Sequence, residues 1–232
     1  MTSPYILCID TTRDYCSVLL SAGGYFAGIL QSPVAIDHSK SISLLTRHLL
    51  NELMVTRNDL AAIAVNLGPG SYTSLRTGLS FSLGFRLALG LPLIGYNTLE
   101  VLGHLGNLSL PPSQHMLAAV ALQGGAFYAG EIVSPGFALI AGGHYFPSYS
   151  QMAEELNAFS ETLEVVKYPE KITISRNQGS LSKSIHSLDE STCALVHQRL
   201  SYGESGSNVW QPLYIRPPFI TQPKKIVKGQ QI

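Results

Sequence analysis

Gly68-Pro69-Gly70-Ser71-Tyr72-Thr73-Ser74-Leu75-Arg76-Thr77-Gly78-Leu79-Ser80 joins a loop that bares its backbone to a helix of apolar and small residues. Two glycines free the amide N–H groups to face an anion, and the following helix adds its positive end. An ordinary loop leading into a helix has the same composition, so the loop alone leaves both readings open. Within the helix, expected from about Tyr72 to Leu89, Ser74, Gly78 and Ser82 recur at i, i+4 and i+8, and Gly84 and Ala88 extend a similar stripe. A mid-helix glycine costs about 1 kcal/mol relative to alanine, so it marks a place where another backbone comes close. That backbone belongs either to the preceding helix of the same chain or to a second subunit, and spacing does not separate the two.

Upstream of the loop, Tyr5 to Ile9, Tyr15 to Ser21 and Tyr25 to Leu30 are β-prone runs separated by Asp10-Thr11-Thr12 and Gly23-Gly24, which predicts a three-strand meander. From His38 to Met54 the period becomes helical, with Ile42, Leu45, Leu49, Leu50 and Leu53 on one face and Asp37 or Ser39 placed to cap the start. Ala61 to Asn66 and Pro92 to Gly95 read as strands, and Thr98 to Leu105 as a short helix. Together these make one α/β unit. Asn107 to Ser113, with two prolines, reads as a boundary.

A second meander then opens with Leu117 to Leu122, Ala126 to Val133 and Gly136 to Ala141. The repeat is architectural and not literal. Ser150 to Phe159 and Asp189 to Leu200 look helical, Leu163 to Lys167 and Ile172 to Ile174 look strand-like, and the Pro-, Lys- and Gln-rich tail from Pro217 is expected to be disordered.

Lys plus Arg equals Asp plus Glu at 15 each, and 13% of the 232 residues are charged, against about a quarter in ordinary domains. No net field attracts nucleic acid or anionic membrane, so any engagement of RNA needs charge from elsewhere. The odd set Cys8, Cys16 and Cys193 suits buried thiols in a reducing cytoplasm. Met1 to Pro4 lacks a basic start and Gly78 to Tyr96 is interrupted by Arg86 and Pro92, so neither a signal peptide nor a membrane span is expected.

A strand ending in Asp10-Thr11-Thr12 before a returning strand is how the actin and sugar-kinase superfamily places a carboxylate and hydroxyls beside phosphates. On local sequence the commoner reading is an Asp that organises its own turn. Ile6 to Thr12, His38 with Leu44-Leu45, Gly68 to Ser80 and Pro92 to Leu99 together resemble the TsaB (YeaZ) family, bacterial proteins needed for N6-threonylcarbamoyladenosine at position 37 of tRNA. The likeness is dense over residues 5 to 105, thins afterwards, and returns at Pro212-Leu213-Tyr214-Ile215-Arg216.

The resemblance implies a two-lobed α/β protein of the actin-like, ASKHA (ribonuclease H-like) class. Residues 1–107 would form an N-terminal lobe carrying dimerisation helices, and 108–216 a reduced second lobe, followed by the tail. The related catalytic TsaD proteins hold metal with two histidines where this chain has Thr98 and Leu102. Neither side chain ligates a transition metal usefully, and His38, His48, His104, His115, His144, His186 and His197 show no ligand spacing. No metal site and no cofactor are expected. Where the TsaB family commonly has Asp-Ala-Arg with a downstream Glu, this chain has Ala121-Leu122-Gln123 and Ala126, leaving no carboxylate for a metal-bound phosphate.

The expected role is therefore that of a non-catalytic subunit that docks and activates TsaD in the cytoplasm, with TsaE engaged through the complex. A homodimer is an alternative assembly, tRNA is met only through the complex, and no membrane is involved. The docking residues implied are His38, Ile42, Leu45 and Leu49 on one helix and Ser74, Leu75, Gly78, Ser82 and Phe85 on the next. On this reading Gly78→Leu or Leu45→Asp blocks association and leaves a folded monomer. Asp10, Thr11, Gly68, Gly70 and Ser71 would be remnants of a nucleotide site. The competing reading is a small ATPase or kinase that still uses Asp10 and the Gly68 to Ser71 loop. No P-loop, zincin or hydrolase-elbow motif is present.

Overall fold

In the computed structural model, residues 5–33, 38–107, 115–122, 125–133, 139–148, 150–152, 154, 164–168, 172–174, 188–203 and 211–214 are described. Strands β1 (Tyr5–Asp10), β2 (Ser17–Ala22), β3 (Tyr25–Gln31), β4 (Leu60–Asn66) and β5 (Leu93–Tyr96) form one sheet in the order β3-β2-β1-β4-β5. β1, β2 and β3 are antiparallel neighbours, whereas β4 and β5 join in parallel after helices α1 (His38–Glu52) and α2 (Tyr72–Leu89). Parallel neighbours need such a crossover, and the helices it supplies must cover the sheet.

The central strand shows why. Leu7 and Ile9 pack beneath α1 and α2, with Ile42, Leu49, Phe81 and Phe85, while Ile6 and Cys8 face the opposite layer. All four side chains of β1 are essentially sealed from solvent, so the strand reads as an unbroken apolar run instead of an alternating one. The opposite layer comes from α3 (Thr98–Asn107) and α4 (Leu188–Ser201), which bring Val101, Cys193, Leu195 and Val196 onto Ile6, Leu19 and Ala62.

The second sheet holds β6 (His115–Ala121), β7 (Phe127–Val133), β8 (Leu139–Phe146), β9 (Glu164–Tyr168) and β10 (Ile172–Ile174) in the order β10-β9-β6-β7-β8. It repeats the first through four strands, an antiparallel meander with β9 added in parallel to β6. The fifth strand departs, since β10 runs antiparallel to β9. Three residues separate the two strands, too few for a crossover. This duplicated, trimmed architecture is the actin-like, ASKHA-type α/β fold.

The strand expected at residues 136–141 lies later, at Leu139–Phe146. Gly142-Gly143 reads as a turn, but the pair sits inside the strand because Gly143 lies against Tyr128 across the ladder, where a Cβ would come within 2.3 Å of the ring. The helix expected over 150–159, the boundary over 107–113, the cap at Asp37 and the tail from Pro217 lie wholly or mainly outside the described residues. A division at residue 107 separates the sheets but not their cores. α4 follows the second sheet in sequence yet completes the core of the first.

The three thiols are sealed inside, Cys8 at 2% exposure and Cys16 and Cys193 at 0%. Burial raises all three, and pushes Cys16 and Cys193 from the ordinary 9.0 to about 12. Burial likewise raises the Tyr96 hydroxyl. Between pH 9 and 12 the unfolded chain sheds thiol protons that the folded chain keeps, so stability falls as pH rises through that window and is unaffected by these groups below it. We expect no thiol to react with Ellman's reagent at pH 8 in the folded chain and all three to react once it is denatured. A melting temperature that declines from pH 9 upward, less steeply in a triple Cys→Ala variant, checks the linkage. Among the described residues no helix is long and apolar enough to cross a membrane.

Candidate functional site

β1 and β4 run in parallel, so their C-terminal ends deliver Asp10 and Asn66 to the same edge of the first sheet. Asp10 turns inward on its own chain: Oδ1 accepts from the Thr12 amide at 2.8 Å and from Thr12 Oγ1 at 2.7 Å, and Oδ2 accepts from Asn66 Nδ2 at 3.1 Å. This is the geometry of an Asp that organises a turn. Asn66, 3% exposed, is the hub. Its amide also donates to Thr98 Oγ1 at 3.0 Å, and its carbonyl oxygen accepts from the Gly68 amide at 3.0 Å. Sequence reasoning passed over Asn66 as the last residue of a strand. A polar side chain closing an apolar strand directly before Leu67-Gly68 was the available signal.

The Gly68–Ser71 loop is clamped from several sides. Thr98 N–H donates to the Gly68 carbonyl at 2.9 Å, and Leu213 N–H donates to the Leu67 carbonyl at 2.7 Å. A Cβ on Gly68, at φ +126°, would meet Leu213 Cβ at 3.1 Å, and one on Gly70 would come within 2.9 Å of Thr12 Cα. The glycines thus admit close approach by this chain's own residues. Ser71 caps α2 with its side chain, accepting from the Ser74 amide at 3.2 Å.

Gly78 faces inward as well. A Cβ there would lie 2.4 Å from Thr11 Oγ1, which donates to the Ser74 carbonyl at 2.8 Å. Ser82, 0% exposed, donates back to the Gly78 carbonyl at 2.8 Å. Gly78 therefore packs on Thr11 of the Asp10–Thr12 turn and Ser82 is buried within the chain, so of the two readings of the stripe the structure gives contacts inside the same chain at these positions. Gly78→Leu would disturb the fold itself.

The remaining docking residues divide in the same way. Ile42 and Leu49 are buried under the sheet, Leu75 is buried against the Gly68–Gly70 loop, and His38, Leu45, Ser74 and Phe85 are half-buried. The outward faces of α1 and α2 are different residues: Ser43, Leu44, Arg47 and His48 on the first, and Ser80, Gly84, Leu87 and Ala88 on the second. Leu44 and Leu87 are 47% and 76% exposed, and among the described residues nothing lies within 4 Å of where a Gly84 Cβ would stand. Apolar periodicity selects the face a helix buries against its own sheet, so it picks out residues that face inward.

Charge at the mouth beside Asp10 is mostly negative. Burial raises the Asp189 carboxyl at the start of α4, Arg13 opposes that rise, and Asp10 and Glu190 add to it. Arg13 stacks over Tyr15 and lies 4.0 Å from Asp10. Thr98 and Leu102, where the resemblance would place metal-binding histidines, are structural residues here: Thr98 in the Asn66 network and Leu102 in the core at 1% exposure. Among the described residues no three His, Cys, Asp or Glu side chains are grouped so as to hold a metal ion. Gln123 and Gly124 of the second hairpin lie outside the described residues. The flanking Leu122 N–H donates to the Ala126 carbonyl at 2.8 Å.

Comparison with known proteins places these features. The family model described as TsaD, tRNA N6-adenosine threonylcarbamoyltransferase, matches residues 22–130. The tRNA threonylcarbamoyladenosine biosynthesis protein TsaB of Buchnera aphidicola is 29% identical over 129 residues, covering 56% of this chain and 60% of that protein. TsaB of Escherichia coli is 30% identical over 126 residues, 54% of each. The chain thus spans a little over half the length of the TsaB relatives it matches. Two Pseudomonas aeruginosa crystal structures share the fold. One, described as similar to peptidase YEAZ, has 22% identity and a TM-score of 0.66 over 92% of this chain and 100% of its own. The other, YeaZ, has 17% identity and a TM-score of 0.59 over 87% and 94%.

Proposed function

We propose that this chain, which is similar to the TsaB (YeaZ) proteins, is a non-catalytic subunit of the complex that forms N6-threonylcarbamoyladenosine at position 37 of tRNA. In this reading it docks TsaD through the outward faces of α1 and α2 and holds it in a competent state, with TsaE joining through the complex. One observation carries the proposal. The groups that would serve a nucleotide are occupied within the chain, Asp10 by Thr12 and Asn66 and the Gly68 loop by Leu213 and Thr12, while among the described residues nothing covers the outer face of α1 and α2.

That face suits close helix packing. Ser80, Gly84 and Ala88 let a partner backbone approach, and exposed Leu44 and Leu87 supply apolar area beside them. The same face is self-complementary enough for a homodimer about a two-fold axis when TsaD is absent. Co-expression with the host's TsaD, followed by weighing the purified complex, tests the proposal: a stable heterodimer supports it, and two separate species count against it. Titration of the isolated chain with ATP and magnesium tests the competing ATPase reading. Tight binding and turnover abolished by Asp10→Ala would overturn the scaffold role.

A further inference from the structure

The charges of α1 and α2 are placed contrary to what stabilises a helix. Lys40 stands in the first turn of α1 and Glu52 at its last position, and neither helix has an acid in its first turn. A helix dipole favours the reverse order, acids at the start and cations at the end. Lys40, Leu44 and Arg47 follow at i, i+4 and i+7 on the exposed side of α1, and Arg76, Ser80 and Gly84 at four-residue steps on the exposed side of α2. The Arg76 guanidinium lies over the Tyr72 ring, 4.6 Å from its centroid. Among the described residues none of these three cations has an acidic partner.

The layer as a whole is basic. α1 and α2 hold four cations, Lys40, Arg47, Arg76 and Arg86, against the single acid Glu52, for a charge of +3, which leaves 11 against 14, or −3, in the rest of the chain. Overall neutrality therefore conceals a helical layer of one sign on a body of the other. Shape and charge disagree about a second copy. The small residues and exposed Leu44 and Leu87 admit a two-fold homodimer, but that pairing sets +3 against +3 across one surface.

We infer that the exposed face of α1 and α2 recognises an acidic protein surface. Leu44, Gly84 and Leu87 make its apolar centre, Lys40, Arg47 and Arg76 pair with carboxylates around that centre, and the charge selects such a partner over a second copy. The inference rests on the docking role proposed above and names the chemistry of the partner's face. Charges at a rim steer encounter and reject like-charged surfaces more than they add affinity, so they act on the association rate. RNA fits less well, because three cations around an apolar centre offer few phosphate contacts and leave that centre unused. Two exposed leucines are likewise too little apolar area to bury in lipid.

The test measures association of TsaD with the native chain and with a K40E/R47E/R76E variant by surface plasmon resonance. The native rate should fall roughly 10-fold between 50 and 200 mM salt, while the variant associates at least ~10-fold more slowly at low salt and gains speed as salt rises. A K40Q/R47Q/R76Q variant should lie between them with little salt response. Because the three side chains are exposed, both variants should keep the native melting temperature within a few degrees. In a second arm the native chain and the charge-reversed variant are mixed without TsaD and weighed by native mass spectrometry. At low salt opposite copies should pair in preference to either homodimer, and the preference should vanish at high salt. One rate and one salt response for native chain and variant, or capture of a tRNA transcript or phosphatidylserine vesicles in preference to TsaD, would overturn the inference. Absence of any TsaD complex would sink the docking role alone. The mixed copies then decide the inference, opposite-charge pairing supporting it and the lack of such pairing overturning it.

Discussion

Gly78→Leu should destabilise the isolated chain by about 3 kcal/mol or more, making it one of the most damaging single substitutions in the first lobe. The physical cause is the Thr11 side chain, whose Oγ1 would lie 2.4 Å from the first atom added. Thr11 cannot retreat freely because it is bonded to the Ser74 carbonyl one turn earlier on the same helix. The gain of about 1 kcal/mol from replacing a helical glycine is too small to offset such a clash. Urea unfolding measures the loss. Gly78→Ala should already be costly, and Thr11→Ala in the same chain should recover part of it, because that change removes both Oγ1 and Cγ2, the two nearest atoms, and leaves Thr11 Cβ at an ordinary 3.4 Å. A Gly78→Leu chain as stable as the native one would refute this packing.

Gly84→Arg, six residues along the same helix, should do the reverse. With nothing among the described residues within 4 Å of its Cβ position, the substitution meets no described neighbour and stabilises the helix by about 0.5–1 kcal/mol. If α2 docks TsaD through this face, a long cation at its closest point of approach should weaken the complex at least ~100-fold, equivalent to about 2.7 kcal/mol. Gly84→Ala should keep both the added stability and nearly all of the docking. Calorimetric titration of TsaD with the two variants reads the difference. A full-strength complex with Gly84→Arg would move the interface elsewhere, and a melting temperature taken alongside shows that the variant is folded.

These two glycines also mark how far the chain could be read without its coordinates. The first-lobe elements α1 and α2 were legible because their apolar periods are long and bounded by Ser71 and by Gly90, a helix-ending glycine in the left-handed conformation. β1 was legible as a short apolar run because it is buried on both faces. Asn66 was not legible, since one polar residue at a strand end has no period, and its meaning arises only when β1 and β4 pair in parallel and bring Asp10 beside it. Asp189 likewise joins the mouth only because α4 returns across the first sheet from the far end of the chain.

The loop and helix of Gly68 to Ser80 show the division most clearly. Sequence by itself determined that a glycine-rich turn feeds a helix with small residues at four-residue spacing, within a duplicated α/β frame, because local propensity and hydrophobic period are properties of neighbouring residues. Which small residues face inward, and what fills the glycine loop, was decided by tertiary structure alone. Thr11 against Gly78 and Leu213 against Gly68 are contacts between residues more than sixty positions apart. No local pattern encodes them, and they come into being only when the sheet pairs and Leu213 is laid against the loop.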